Sequence, residues 1–339
     1  MLGIALMMYI AWSIGANDAA NPTECAVGAG VISVRKALVI FAVFVFIGSL
    51  LQGWMVMKTF GGGISKIATL QDALIASAST GLWITVASLL GLPISTTHSA
   101  VGAVLGIGIS HLLIYGSASI NYSVLIKVVT SWVTSPLASI LLVVLLYKLM
   151  SRLYIGMSVK GLNPSELFKY LLIATLAFSA YSFGANDVGN ATGVYLAVIK
   201  VGGSDIESLD INTALMLAML GAIGIALGGF TVGYKVIETV AFKITRLDLV
   251  SATAAELANA LTIWLFTTIP YVLFGYGMPI STTHASVSAV MGVGLIRGGS
   301  KGIDKHIVLR IIASWIATVP LTAGIALSLR ILTHMLLGV

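Results

Sequence analysis

The chain of 339 residues carries twelve Asp/Glu and eighteen Lys/Arg side chains, 9% charged against 58% hydrophobic, where soluble domains carry roughly 25% charged residues. So few charges cannot cover a water-facing globule of this size, and a mean hydropathy of +1.05 excludes a soluble fold. A single cysteine, Cys25, excludes a disulfide framework and Cys-based metal sites, and the net charge of +6 is scattered over short loops rather than gathered into the patch a nucleic acid needs.

An apolar helix crosses the hydrocarbon layer in about 20 residues, and such runs recur along the chain. The first half predicts helices over 2–14, 37–57, 67–90, 99–115 and 122–150; the second predicts them over 168–183, 213–232, 251–274, 285–296 and 307–337. The opening run has no positive leader and passes straight into a polar cluster, so it is expected to be a membrane segment rather than a secretion signal. Connecting loops are short, the longest hydrophilic one covering 151–169. The expectation is an all-α polytopic membrane protein of about 10–12 membrane segments. It divides into a repeat over 1–150, a cytoplasmic linker over 151–167 and a second repeat over 168–339.

The two series are one series. G-A-N-D-A-A-N at 15–21 returns as G-A-N-D-V-G-N at 184–190, and L-P-I-S-T-T-H at 92–98 returns as M-P-I-S-T-T-H at 278–284. A Ser-Trp pair ahead of Pro136 returns as Ser314-Trp315 ahead of Pro320. The order is the same, so the chain is read as a duplication with extra residues between the motifs of the second half. Lys and Arg collect in cytoplasmic loops. With Arg35 and Lys36 inside, alternate crossings bring Lys148, Arg152, Lys160 and Lys169 to the same side, then Lys235, Lys243, Arg246, Arg297, Lys301 and Lys305. Lys58, Lys66 and Lys200 fall outside, with Asp205, Glu207 and Asp210. The acidic loop 205–210 is the repeat mate of Arg35-Lys36 on the opposite side, so the repeat reads as inverted, with broken or re-entrant helices meeting at the midplane and both termini outside.

An ionisable side chain inside a span is expensive and signals function. Asp18, Glu24, Asp187 and Glu256 fall at membrane depth, whereas Asp72 lies near a helix end and is expected to be an interfacial charge. Gly, Asn and Asp leave a helix easily, and Asn21-Pro22 offers a cap and a restart, so each G-A-N-D motif is expected to open its helix. The freed carbonyls and the side-chain oxygens of Asn17, Asp18 and Asn21, and of Asn186, Asp187 and Asn190, are hard ligands suited to a small cation. Glu24 has Gly193 as its repeat mate and Glu256 falls opposite a position near Ser77, so each is a candidate cation ligand belonging to one half only. At 93–98 and 279–284, proline ends one helix and Ser95 or Ser281 caps the next, aiming free amides and hydroxyls at an anion. Broken helices meeting at the midplane are a transporter pattern. His98 and His284 read as packed neutral imidazoles orienting the break, with proton carriage the second reading. No G-x-S-x-G, Walker loop or H-E-x-x-H appears, so no enzyme is expected.

The paired G-A-N-D-x-x-N and P-I-S-T-T-H motifs, in this order in a duplicated membrane chain, resemble the inorganic phosphate transporter (PiT) family of cation–phosphate symporters over essentially the whole chain. The resemblance implies inverted repeats, a homodimer, and phosphate carried with Na⁺ or H⁺. Carried onto this sequence, it implies phosphate contacts at Ser95, Thr96, Thr97, Ser281, Thr282 and Thr283, with Asn17 and Asn186 beside them. It implies Na⁺ ligands at Asp18, Asn21, Asp187 and Asn190, with a functional acid at Glu256 in the E-L-A stretch; the broken symmetry of the halves, not the resemblance, adds Glu24 to that set. The chain departs from the family at Pro22 and Glu24, where small residues are usual. Charge supplies the coupling: a divalent phosphate beside two ionised aspartates is repelled at low dielectric, and cations on those carboxylates turn repulsion into attraction. The expected function is phosphate import across the cell membrane by Na⁺ symport and alternating access, with Na⁺ as coupling ion and no cofactor. H⁺ coupling, sulfate transport and, in another class, an anion channel stay open on these residues.

Overall fold

In hydrocarbon every backbone N–H and C=O must be bonded within its own segment, which leaves helices as the form of long apolar runs. The computed structural model describes residues 1–60, 64–65, 67, 69–117, 120–201 and 211–337; the expected outside charges Lys66, Asp205, Glu207 and Asp210 lie outside the described residues. The order is α1 (Leu2–Asp18), α2 (Glu24–Gly28), α3 (Val34–Gln52), α4 (Trp54–Phe60), α5 (Leu70–Leu89), α6 (Thr96–Tyr115), α7 (Tyr122–Val159), α8 (Pro164–Val201), α9 (Ile211–Thr231), α10 (Tyr234–Lys243), α11 (Leu249–Phe274), α12 (Thr282–Gly298) and α13 (Lys305–Leu337). Eight of these, α3, α5, α6, α7, α8, α9, α11 and α13, are long and apolar enough to cross a membrane. With α1 and α12, at 17 residues each, every segment predicted from hydropathy holds one long helix. The hydrophilic stretch expected as a loop is helical except for residues 160–163, where Gly161 turns the chain at φ +74°.

The two halves interleave. Helix α1 packs on α9, α3 and α4 on α8, α6 on α13, and α7 on both α11 and α12, so extensive pairings join one half to the other. The glycine ladders allow these contacts, as expected for close membrane packing. A side chain at Gly228 would run into the Trp12 carbonyl, and one at Gly106 into the backbone at Ala323. Gly228→Ala is therefore expected to wedge α1 from α9 and cost about 1–3 kcal/mol, read as a lower unfolding temperature in detergent. Gly156→Ala, at a position that meets no neighbouring atom, is expected to leave that temperature unchanged or raised.

Asp72 departs from the expected interfacial charge. It is fully buried, closes a capping box with Thr69 at the start of α5, and holds Oδ1 3.1 Å from Arg330 Nε and 3.2 Å from His111 Nε2. Arg330 is buried as well and donates to the Tyr115 hydroxyl at 2.9 Å. The C-terminal helix is thereby tied to α5 and α6 by an ion pair whose partners are 258 residues apart. Nothing local to either residue announces that pairing.

Candidate functional site

Pro22 has no N–H to give the Asp18 carbonyl, and its ring would strike that oxygen in a continued helix. Helix α1 therefore stops at Asp18, the Asn21 N–H takes the Asp18 carbonyl at 3.0 Å in a tight turn, and α2 restarts at Glu24. The cap position of the restart is Thr23, not Asn21 as expected. The second motif does not open at all: Ala191 stands where Pro22 does, and α8 runs unbroken through Asn186, Asp187 and Asn190. The expectation of freed carbonyls there is corrected, because without proline nothing interrupts the hydrogen-bond ladder. Side chains alone serve as ligands in that half.

The other pair of motifs forms as its residues predict. Ser95 Oγ accepts the His98 N–H and Ser281 Oγ accepts the His284 N–H, each at 3.1 Å, capping α6 and α12. The two helix starts then meet reciprocally. Thr97 Oγ1 donates to the Ile280 carbonyl at 2.8 Å, and Thr283 Oγ1 to the Ile94 carbonyl at 2.9 Å. Asn190 Nδ2 donates to Thr97 Oγ1 and Asn21 Nδ2 to Thr283 Oγ1, both at 3.1 Å. Behind them the imidazoles of His98 and His284 lie 4.6 Å apart, each 3.8 Å from a tryptophan ring, Trp132 and Trp315 respectively. His98 Nδ1 approaches the Trp315 carbonyl at 3.5 Å, and His284 Nδ1 the Trp132 carbonyl at 3.3 Å. The repeated Ser-Trp pairs are platforms for the histidines, a role their spacing did not reveal.

Two fully buried carboxylates from opposite halves converge on this junction. Asp18 Oδ2 accepts from Thr96 Oγ1 at 2.6 Å, and Oδ1 lies 3.3 Å from the Thr283 hydroxyl, whose hydrogen goes to the nearer Ile94 carbonyl. Asp187 Oδ1 accepts from Asn190 Nδ2 at 2.8 Å and lies 3.4 Å from the same Thr96 hydroxyl. Thr282, the repeat mate of Thr96, lies beside Asp187 and accepts from Asn21 Nδ2 at 3.2 Å. Asn17 gives both amide hydrogens to the first break, to Ser88 Oγ at 3.1 Å and the Leu92 carbonyl at 2.9 Å, while Oδ1 takes the Ile94 N–H at 3.1 Å. Asn186 braces the second break through Thr267 at 2.8 Å and the Met278 carbonyl at 3.0 Å. Both amide hydrogens of each asparagine are thus committed within the protein in this conformation. Asn21 Oδ1, Asn190 Oδ1, Asn186 Oδ1 and Asp187 Oδ2 are buried without a hydrogen-bond partner. A buried acceptor in that state is costly, and a small cation relieves it by coordination. Ser88 and Thr267 occupy equivalent places against Asn17 and Asn186, a register that sets Glu256 opposite Ser77.

The sequence profile described as the phosphate transporter family matches this chain twice, over residues 14–161 and 157–326. The chain belongs to the phosphate transporter family. The two matches divide it as the duplicated motifs do. A protein of Pyrococcus furiosus named as a phosphate permease is 33% identical, covering 96% of this chain and 94% of its own length. The chloroplastic inorganic phosphate transporter 2-1 of Arabidopsis thaliana is 30% identical over 94% of this chain and 69% of that protein. A solved structure titled the sodium-dependent phosphate transporter superposes with a TM-score of 0.85 at 29% identity, covering 99% of this chain and 98% of that one. The chain is a multi-pass membrane protein of this transporter family, not an enzyme.

Proposed function

We propose that the chain imports inorganic phosphate by symport with Na⁺ through alternating access, as a homodimer of inverted-repeat subunits with both termini outside. The observation that carries the reading is the meeting of two helix starts with two buried aspartates and a set of unpartnered amide and carboxylate oxygens. The amides of Thr96, Thr97, Thr282 and Thr283 precede the first intrahelical bonds, from Ser99 and Ala285. With the hydroxyls of Ser95 and Ser281 they suit an oxyanion. The oxygens of Asp18, Asn21, Asp187 and Asn190 suit Na⁺. Thr96 also suggests an order. Its hydroxyl is held by Asp18; a cation on that carboxylate weakens the bond and frees the donor for phosphate, so Na⁺ binds first.

Two contacts support the inversion. Gly91, ahead of the first break, lies against Lys235 and Thr239 on the basic side. Gly277, ahead of the second, bonds Met55 and Thr59, beside Lys58, which the charge count assigns to the other side. The names of the relatives support phosphate as cargo, and that of the solved neighbour supports Na⁺.

The reading is tested by uptake of labelled phosphate into proteoliposomes. Saturable uptake is expected with an inward Na⁺ gradient and its loss when K⁺ replaces Na⁺, with little competition from sulfate. Equal uptake driven by a proton gradient alone would assign H⁺ as the coupling ion, and non-saturating conductance would identify a channel.

A further inference from the structure

We propose that a basic cavity on the side the charge count assigns to the cytoplasm binds a phosphate-bearing anion, at a site separate from the transport junction. Three cations, Arg246, Arg297 and Lys301, line one cavity of about 580 Å³ between the segment ahead of α11 and the turn that follows α12. The acids beside it are engaged. Asp304 turns its carboxylate to the start of α13, where Oδ1 accepts the His306 and Ile307 N–H groups at 2.9 and 3.2 Å. Asp248 caps α11 and pairs with Arg297 at 3.0 Å. Arg246 and Lys301 are exposed and have no acidic partner among the described residues.

Charges that only set the topology need no cavity, and the walls of this one are fixed by specific contacts. The Thr245 hydroxyl donates to the Gly302 carbonyl at 2.8 Å, and the Asp304 N–H to the Ile244 carbonyl at 3.2 Å. Arg297 Nη1 donates to the Arg246 carbonyl at 3.1 Å. Gly294 of α12 packs so closely on Gly302 that a side chain on either would strike the backbone of the other. At Gly298 and Gly299, by contrast, an added side chain would meet no neighbouring atom, so the backbone between Arg297 and Lys301 stands open to a ligand. Arg offers a planar fork and Lys a point charge, the pair of donors that phosphate groups take. Basic pockets between helices on the cytoplasmic side suit phospholipid head groups, and Phe242 and Ile303 give this one an apolar wall. The shared chemistry is a phosphate group, supplied by a lipid head group or by free inorganic phosphate. Helix α12 starts at the transport junction and ends at this cavity. An occupant spanning Arg246 and Lys301 therefore holds the far end of α12 to the segment ahead of α11 and populates the conformation described here.

The test uses the purified full-length chain in non-ionic detergent with choline in place of Na⁺, so that binding is read apart from the coupled transport site. The probes are inorganic phosphate and a short-chain phosphatidylglycerol, with phosphatidylcholine of the same chain length as the comparison. A bound probe is expected to raise the unfolding temperature by about 2–5 °C at ten times its dissociation constant. Arg246→Gln/Lys301→Gln is expected to weaken apparent affinity about 30-fold and Lys301→Gln alone about fivefold. Arg152→Gln, exposed on the same side but outside the cavity, is expected to keep the wild-type affinity. A shift with phosphatidylglycerol that the double variant loses assigns a lipid head group, and one with inorganic phosphate assigns the free anion; either supports the site. No shift with either probe, an unchanged shift in the double variant, or an equal loss in Arg152→Gln would overturn it. None of these outcomes involves the coupling ion, so failure here leaves the Na⁺-coupled reading to its own uptake test.

Discussion

Asp18→Asn and Asp187→Asn are each expected to raise the Na⁺ concentration needed for phosphate binding by about 100-fold. The substitution keeps the size of the side chain and one oxygen ligand but removes the charge that compensates a desolvated cation. Removing one partner of a buried charge pair costs about 3 kcal/mol or more, and each 1.4 kcal/mol is about a factor of ten in affinity. Because coupling is reciprocal, apparent phosphate affinity falls with Na⁺ affinity and is partly restored by raising Na⁺. The two variants differ in a second respect. Asp18 accepts from Thr96 and lies against Thr283, whereas Asp187 accepts from Asn190 on Oδ1 and leaves Oδ2 without a hydrogen-bond partner. Asp18→Asn is therefore expected to lower the unfolding temperature more than Asp187→Asn, whose remaining oxygen can keep the Asn190 bond. Phosphate isotherms at several Na⁺ concentrations decide the matter, and a wild-type Na⁺ dependence in both variants removes the aspartates from the ion sites.

Arg330→Met is expected to destabilise the protein by about 3–5 kcal/mol, the cost of leaving a buried charge without its partner. Asp72 is fully enclosed and its Oδ1 faces the guanidinium at 3.1 Å. His111, 3.2 Å from the same oxygen, does not replace a permanent cation. Adding Asp72→Asn in the same chain is expected to recover most of the loss, since no unpaired charge then remains. Thermal unfolding of the two single variants and the double one gives the coupling energy directly. An exposed charge of the kind suggested by position in the sequence changes stability by only about 0.5 kcal/mol on removal, so the size of the effect separates the two descriptions.

Much of this protein is legible without coordinates. Its membrane class, its long helices, the duplication and the serine caps at Ser95 and Ser281 all follow from local causes: the hydropathy of a run, proline's missing donor, a hydroxyl three residues ahead of an amide. Pro22 belongs to the same set, and its absence from the second motif was visible at Ala191; the likeness of the two motifs hid it. What only the tertiary structure decided are contacts between helices far apart in the chain. Asp72 meets Arg330, Thr96 stands between Asp18 and Asp187, and Asn17 turns to the break at Leu92–Ile94. Each of these pairs residues more than 70 positions apart. A polar side chain at membrane depth must find a partner, but which partner depends on how the two halves interleave, and that is set by glycine contacts and helix packing spread over the whole chain.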